Sequence, residues 1–470
     1  MLHSRLRTLL TTGLLLLPAA LRADTLLEIY DLAVQNDPVI KAAEATFLAG
    51  KEFEVQGRSQ LLPQVGAQAE YNESDLQQTT KRTFPLNGQN FQSNTDYDLD
   101  DNSDNYYLTV SQNIFNLPAW FGFKQGKELS KQAEAQFAAD QQDLIVRTVE
   151  AYTLVLRAID NLKSSRAAEA AFQRQLEQTQ QRFEVGLIAI TDVHEARAAY
   201  DLSVVNRLTD EGNLGVAYEA LSVLTGQSHA NLWLLSEEFP VVDPQPGTAE
   251  EWVKLAMDGN FDLKSASYAA EAALQASQAS RAQHLPTVSG HVELMNTHED
   301  GSTHDNLYDT KFPTEADLEG NRITLQLSMP LYAGGAISSQ RRQSYEYYNA
   351  ARETHTSVMR DTIQFTRSLH LFVTTDVQRV KARKQAIVSA QSALDATTAG
   401  YEVGTRNVVD VLNAQQIVFQ AIRDYANSRY DYVHHLLRLR KQAGMLSPED
   451  VRALNKWLVE PAPATARQAP

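Results

Sequence analysis

Two carboxylates, Asp192 and Asp410, sit at equivalent places in a repeated motif, and the residues around them are those best equipped for chemistry. Phe183-Glu184-Val185-Gly186 recurs as Tyr401-Glu402-Val403-Gly404, and at the same offset Asp192-Val193 recurs as Asp410-Val411 and Ala196 as Ala414. The copies then diverge: Phe183, Ile188 and Glu195 of the first become Tyr401, Arg406 and Asn413 of the second. A phenol and a guanidinium both donate to carboxylates, and charge-assisted bonds are the stronger class. Tyr401 and Arg406 are therefore expected to latch onto Asp192 on the neighbouring hairpin. A carboxylate near a helix start can also cap orphan N–H groups and meet the positive dipole end. Both roles stay open for Asp192 and Asp410.

No constellation for bond-making chemistry accompanies them. The chain lacks cysteine, so thiol nucleophiles, thiolate metal sites and disulfides are excluded. It contains no His-Glu-x-x-His, no phosphate-cradling glycine-rich loop and no Gly-x-Ser-x-Gly. His434 and His435 are adjacent, and neighbours on a helix point to different faces, so they cannot chelate as an i, i+4 pair would. A surface or packing role is expected for them. Tyr106-Tyr107 reads as a strand at a membrane interface and Tyr347-Tyr348 as a helix surface, and neither needs a cofactor. No enzyme, no metal and no cofactor is expected.

Composition narrows the class further. The 42 basic residues against 58 acidic ones give a net charge of −16, which repels phosphate backbones and makes nucleic acid an improbable partner. Residues 1–23 read as a secretory signal peptide: Arg5 and Arg7, an apolar stretch from Leu9 to Leu17, then a small-residue exit with cleavage after Ala23. No later segment has 18 uninterrupted apolar residues, so any membrane span must be β.

The elements that position these residues come in two copies. The expected organisation is a first repeat over 24–226, a connector over 227–249, a second repeat over 250–444 and a C-terminal segment over 445–470, whose end from Pro461 is expected to be disordered. Each repeat opens with a helical stretch, 25–57 and 250–283, and reaches Leu-Pro at Leu62-Pro63 and Leu285-Pro286. Alternating strands follow at about 64–72, 105–115, 287–295 and 321–331, with polar loops expected over 72–105 and 296–321. Each repeat continues into a proline-free helix, Ala119 to Phe183 and Ala336 to Ala399, about 100 Å long at 1.5 Å per residue. Ile145, Val149, Tyr152, Leu156 and Ile159 make a coiled-coil seam on the first, and Val373, Val377, Val380, Ile387 and Leu394 one on the second. Gly186 and Gly404 end these helices, and return helices run from about Thr191 to Leu224 and Asn407 to Arg440.

Four strands cannot close a membrane barrel, so oligomerisation is implied; two copies give eight strands and three give twelve, and physics alone does not choose. Leu62-Pro63-Gln64, the duplicated Phe183-Glu184-Val185-Gly186-Leu187 and Tyr401-Glu402-Val403-Gly404-Thr405-Arg406, and Ile190-Thr191-Asp192-Val193 together resemble the outer membrane efflux protein family, the TolC-type channel-tunnels. The resemblance runs from Asp24 to about Glu460. It implies an α+β membrane protein: a homotrimer whose 12-stranded β-barrel, four strands per chain, continues into a long periplasmic α-helical barrel. It also implies an outer membrane exit duct for multidrug efflux and type I secretion, recruited by a periplasmic adaptor and an inner membrane pump or ABC transporter, and embedded in outer membrane lipid. By resemblance, Tyr401 and Arg406 tie the inner hairpin to the outer through Asp192, beside Thr191, and Gln175. The family's two luminal Asp rings are represented by Asp410 and, one turn on, Asn413. Gly186, Leu187, Gly404 and Thr405 fall at the tips where the adaptor docks. A non-channel coiled-coil scaffold of the envelope is the competing reading.

Overall fold

The computed structural model describes residues 24–305 and 308–461. The expected signal peptide, residues 1–23, and the expected disordered tail from residue 462 lie outside the described residues. In chain order the elements are α1 (Leu26–Asn36), α2 (Pro38–Ser59), β1 (Gln64–Leu86), β2 (Gln89–Phe115), α3 (Leu117–Glu184), α4 (Ile190–Thr225), β3 (Leu234–Leu235), α5 (Ala249–Gly259), α6 (Phe261–Ala282), β4 (Thr287–Asp305), β5 (Thr310–Ser328), α7 (Ala336–Glu402), α8 (Val408–Gln442), α9 (Pro448–Asn455) and β6 (Leu458–Val459). The order helix, helix, strand, strand, long helix, return helix thus occurs twice. Each opening helical stretch is broken in two. Asp37, 2% exposed, accepts from the amides of Val39 and Ile40 at 3.4 and 3.2 Å, and Pro38 supplies the first residue of α2. Asn260 stands at the matching break in the second copy.

The chain divides into two compact units. One comprises Ala45–Phe137 and Asp262–Met359 and contains an antiparallel sheet of order β1-β2-β4-β5. Val65, Val110, Val292 and Ile323 form one row across all four strands, and Ala67, Leu108 and Leu294 lie in the next row on that face. This apolar face is uncovered, with Ile323 80% exposed. Against α2, α3 packs so closely that a Cβ at Gly126 would run into the Phe53 carbonyl, and Phe47 stacks on Phe137 at 5.0 Å.

The segments expected to be polar loops are strands. β1 and β2 stay paired to Leu86↔Gln89, closed by Asn87 and Gly88 at φ 49° and 79°, the left-handed pair that a two-residue hairpin turn requires. β4 and β5 stay paired from Thr287↔Ser328 to Asp305↔Thr310. The physical reason is that a hairpin wetted on both faces needs ladder hydrogen bonds but no apolar alternation, so its sequence carries no period to detect. Two further two-residue strands join the connector to the C-terminal segment, Leu234↔Val459 and Leu235↔Leu458.

The other unit is helical and gathers the chain up to Glu44, Ala138–Phe261 and the chain from Arg360. Its core contains the seam residues Ile145, Val149, Tyr152 and Leu156 with Val373 and Val377, joined by Leu26, Leu221, Trp252 and Tyr432. A polar ladder ties α8 to α3: Lys441 to Asp143, Arg438 to Glu150, Asp431 to Arg157 and Tyr430 to Asp160, each at 2.6 Å, and His434 to Thr153 at 2.5 Å. The next residue turns the other way. His435 Nδ1 lies 2.6 Å from Asp376 on α7, a carboxylate only 1% exposed that also accepts from Arg379 at 2.9 Å.

Burial, with the positive charge of Arg157 beside it, lowers the His434 pKa from 6.5 to about 4. Below pH 6.5 the unfolded chain therefore takes up a proton that the folded chain refuses, so this contribution to stability is complete above 6.5 and is lost as the pH falls toward 4. His434→Gln keeps an N–H for Thr153 and removes the titration. Its thermal unfolding midpoint should fall less than that of the wild type across this pH window, and an unchanged slope would assign the acid sensitivity elsewhere.

Candidate functional site

Each long helix ends in the same device. The Leu187 amide donates to the Arg182 carbonyl at 2.9 Å and the Gly186 amide to Phe183 at 2.8 Å; in the second copy Thr405 donates to Gly400 at 2.8 Å and Gly404 to Tyr401 at 3.1 Å. These paired bonds use up orphan carbonyls and require a left-handed residue, supplied by Gly186 at φ 77° and Gly404 at φ 80°. Neither glycine has an atom within 4 Å of where a Cβ would stand. The turns carry bare apolar side chains, Val185, Leu187 and Val403, all at least 70% exposed.

The two return helices begin differently. Asn407 caps α8, accepting from the Asp410 amide at 2.8 Å, while the Asp410 carboxylate accepts from the Asn407 amide at 3.3 Å. This reciprocal box makes Asp410 a helix cap, and Arg406 Nη1 stands 3.9 Å from the same carboxylate. At the start of α4 the cap position is Ala189, which has no side-chain bond to offer. The half-buried Asp192 meets only the Thr191 hydroxyl, at 3.5 Å.

The residues expected to form a latch are only partly brought together. Tyr401 and Gln175 line one groove of about 450 Å³ with Gln178, Gln181 and Arg182. The Tyr401 hydroxyl is buried there without a hydrogen-bond partner, and Gln175 reaches Thr179 at 3.5 Å. Arg182, for which the sequence carried no signal, lies over the Tyr401 ring at 4.8 Å. Within the described chain, Asp192 bonds to neither Tyr401 nor Arg406. Asn413 and Glu195, equivalent positions of the two copies, both line a second cleft of about 450 Å³ between α3, α4 and α8, together with Phe172, Leu412 and Phe419. Among the described residues no group of three or more acids and histidines could hold a metal ion.

The family profile described as Outer membrane efflux protein matches residues 29–227 and 252–445. Outer membrane protein TolC of Vibrio cholerae is 35% identical over 445 residues, 94% of this chain and 95% of that protein. The alkaline protease secretion protein AprF of Pseudomonas aeruginosa is 29% identical over 459 residues, 95% and 90% of the two chains. Among solved structures, the outer membrane protein VceC of Vibrio cholerae superposes with a TM-score of 0.71 at 19% identity, covering 89% of this chain and 96% of that one.

The cap itself can be tested. Asn407→Ala removes the box and should cost about 1 kcal/mol of local stability. Amide exchange should speed up over the first turn of α8, residues 408–411, with the rest of the helix unchanged; equal protection in the variant would show that Asn407 does not hold this terminus.

Proposed function

The chain is a member of the outer membrane efflux protein family, and from that premise we propose that it works as a trimer whose helical hairpins form a gated periplasmic entrance. It is an outer membrane protein, the exit duct of an efflux and type I secretion system, working with partner pumps. The observation that supports assembly is the sheet: four antiparallel strands, an uncovered apolar face, and outer edges on β1 and β5 that have no partner among the described residues, while the number three rests on family membership. Three copies pair every edge and give twelve strands, enough to leave a lumen. A coiled-coil scaffold would have no use for such a sheet. A channel, not a catalyst, is the role that its relatives support.

The tips are the docking points for a periplasmic adaptor, which in turn brings an inner membrane pump or ABC transporter. Open space around Gly186 and Gly404 makes this testable, since a larger residue there meets only the cost of a left-handed backbone, roughly 1–2 kcal/mol. Gly404→Val should abolish export while trimers still reach the outer membrane. Export at the wild-type rate would reduce the turns to simple helix ends.

The latch closes when Arg406 exchanges Asp410 for Asp192 and the Tyr401 hydroxyl finds an acceptor, Asp192 or Gln175, on an α3–α4 hairpin. The orphan phenol and the weakly bonded Asp192 carboxylate support this reading. Two lost bonds, one charge-assisted, sum to about 2–4 kcal/mol per protomer, enough to move a modestly biased equilibrium. Tyr401→Phe with Arg406→Ser should therefore raise resting conductance in planar bilayers, and Asp410→Ala should instead lower cation selectivity and multivalent-cation block without opening the pore. Unchanged conductance in the double variant discards the latch; unchanged selectivity in Asp410→Ala leaves Asp410 a helix cap and nothing more.

A further inference from the structure

The charges of the sheet-bearing unit are sorted by height. On the face that carries Val65, Val110 and Ile323, the register continues toward the hairpin turns through Glu73, Asp75, Asp100, Asp104, Asp300 and Glu315. At the opposite end, where strands meet helices, acids vanish. None of residues 55–69, 105–127, 272–292 and 320–345 is Asp or Glu, in a chain that has 58 of them. Those same four segments hold Arg58 and Arg281 in the last turns of α2 and α6, Lys124 in the second turn of α3, and Arg341 and Arg342 in the second turn of α7.

These five cations lie within about 10 Å of the strand-proximal ends of their own helices, by the helical rise of about 1.5 Å per residue. Arg58, Arg281, Arg341 and Arg342 are exposed and Lys124 half-exposed. Arg322 on β5 pairs with Glu293 on β4 at 3.2 Å, and Lys131 with Glu128 at 2.7 Å further along α3, but none of the five enters an ion pair among the described residues. Bare apolar and aromatic side chains flank them: Phe115 and Trp120 before Lys124, and Leu331 and Tyr332, each 89% exposed, before Arg341. Lys124 itself extends over the Trp120 ring, its Nζ 5.8 Å from the centroid. Aromatic rings at the polar boundary with long cations reaching past them are the arrangement that a lipid headgroup layer selects.

We propose that this end of the sheet is a headgroup collar: Arg58, Lys124, Arg281, Arg341 and Arg342 bind the phosphates of anionic phospholipids in the periplasmic leaflet of the outer membrane. The proposal rests on the outer membrane reading above. It assigns the chain a lipid partner of stated charge and places that partner at one leaflet only. The acid band at the far end repels such headgroups, so the two ends of the sheet together fix its depth and direction in the bilayer.

The test is native mass spectrometry of the full-length protein released from detergent in the presence of phosphatidylglycerol or phosphatidylcholine of equal chain length. The wild type should retain phosphatidylglycerol about tenfold more than phosphatidylcholine, as several cations near an anionic surface would. R58Q/K124Q/R281Q/R341Q/R342Q should lose the preference. R58K/R281K/R341K/R342K should keep it, as should K381Q/K384Q, which removes two cations far along α7. R341Q/R342Q alone, should the fivefold variant fail to fold, should weaken the preference. Equal retention of the two lipids by the wild type, or equal loss in K381Q/K384Q, overturns the collar. So does a fivefold variant whose ion selectivity changes while lipid retention does not, since the cations then line the bore. Conductance recorded on the same samples separates the two readings: wild type that fails to insert ends the membrane reading itself, whereas wild type that conducts without lipid preference ends only the collar.

Discussion

A backbone amide or carbonyl left unpaired in hydrocarbon costs several kcal/mol, and the apolar stretch of each outer strand of this chain has an edge that needs a partner. β1 has only β2 for a neighbour and β5 only β4. Among the described residues no helix is long and apolar enough to cross a membrane. Everything else follows from satisfying those edges. Edges satisfied by further copies impose rotational symmetry, and symmetry then carries each chain's helices into a shared wall. The chain's own duplication repeats the pattern at half the interval, which is why a strand pair and a helix pair alternate twice along it.

Duplication also supplies a comparison inside the molecule. Both return helices place an aspartate at their third residue, yet only Asp410 completes a capping box, because its copy has Asn407 where the other has Ala189. A shared motif has thus been put to two uses, one committed to its own helix and one with its carboxylate still largely free. The same divergence appears further along. In the core half of α8 the ladder to α3 is continuous, whereas toward the tip small residues such as Ser164 and Ala168 open the cleft that Asn413 faces. Individual exposed pairs of this ladder contribute little, but the buried Asp376 requires both His435 and Arg379, and that demand fixes the rotation of α8.

Much of this was legible in the residues. The seams at Ile145 to Leu156 and at Val373 to Val380 are periodic because they face a core, and burial follows the period there, whereas Ile387 and Leu394, further along the second, are only half-buried. Glycine at a left-handed helix end is a backbone requirement, so Gly186 and Gly404 announced the tips. The adjacent histidines do serve different neighbours, as helix geometry demands. What escaped detection had no apolar code. The hairpin segments beyond Tyr71 and Tyr106 alternate between polar and polar, although Asn87-Gly88 is itself a hairpin turn signal. Asp37-Pro38 likewise marks a helix break that the surrounding alanines obscured. Arg182 over Tyr401 belongs to tertiary packing, which no spacing in one strand of sequence reveals.

The tall hairpin of β1 and β2 constrains how this surface can change over generations. It ends in a two-residue turn, with every residue from Gln64 to Leu86 matched to one on β2, so it has no slack in which a single inserted residue can hide. One extra residue on one strand must either bulge out, as β2 does opposite β4 between Asn113 and Phe115, or reverse the facing of everything beyond it, exchanging bore and exterior. Lengthening without that reversal takes residues on both strands at once, in even steps of about 6.6–6.8 Å per two residues. Descendants of this gene should therefore vary the height of the rim in paired increments, and take unpaired ones at the turns or as bulges.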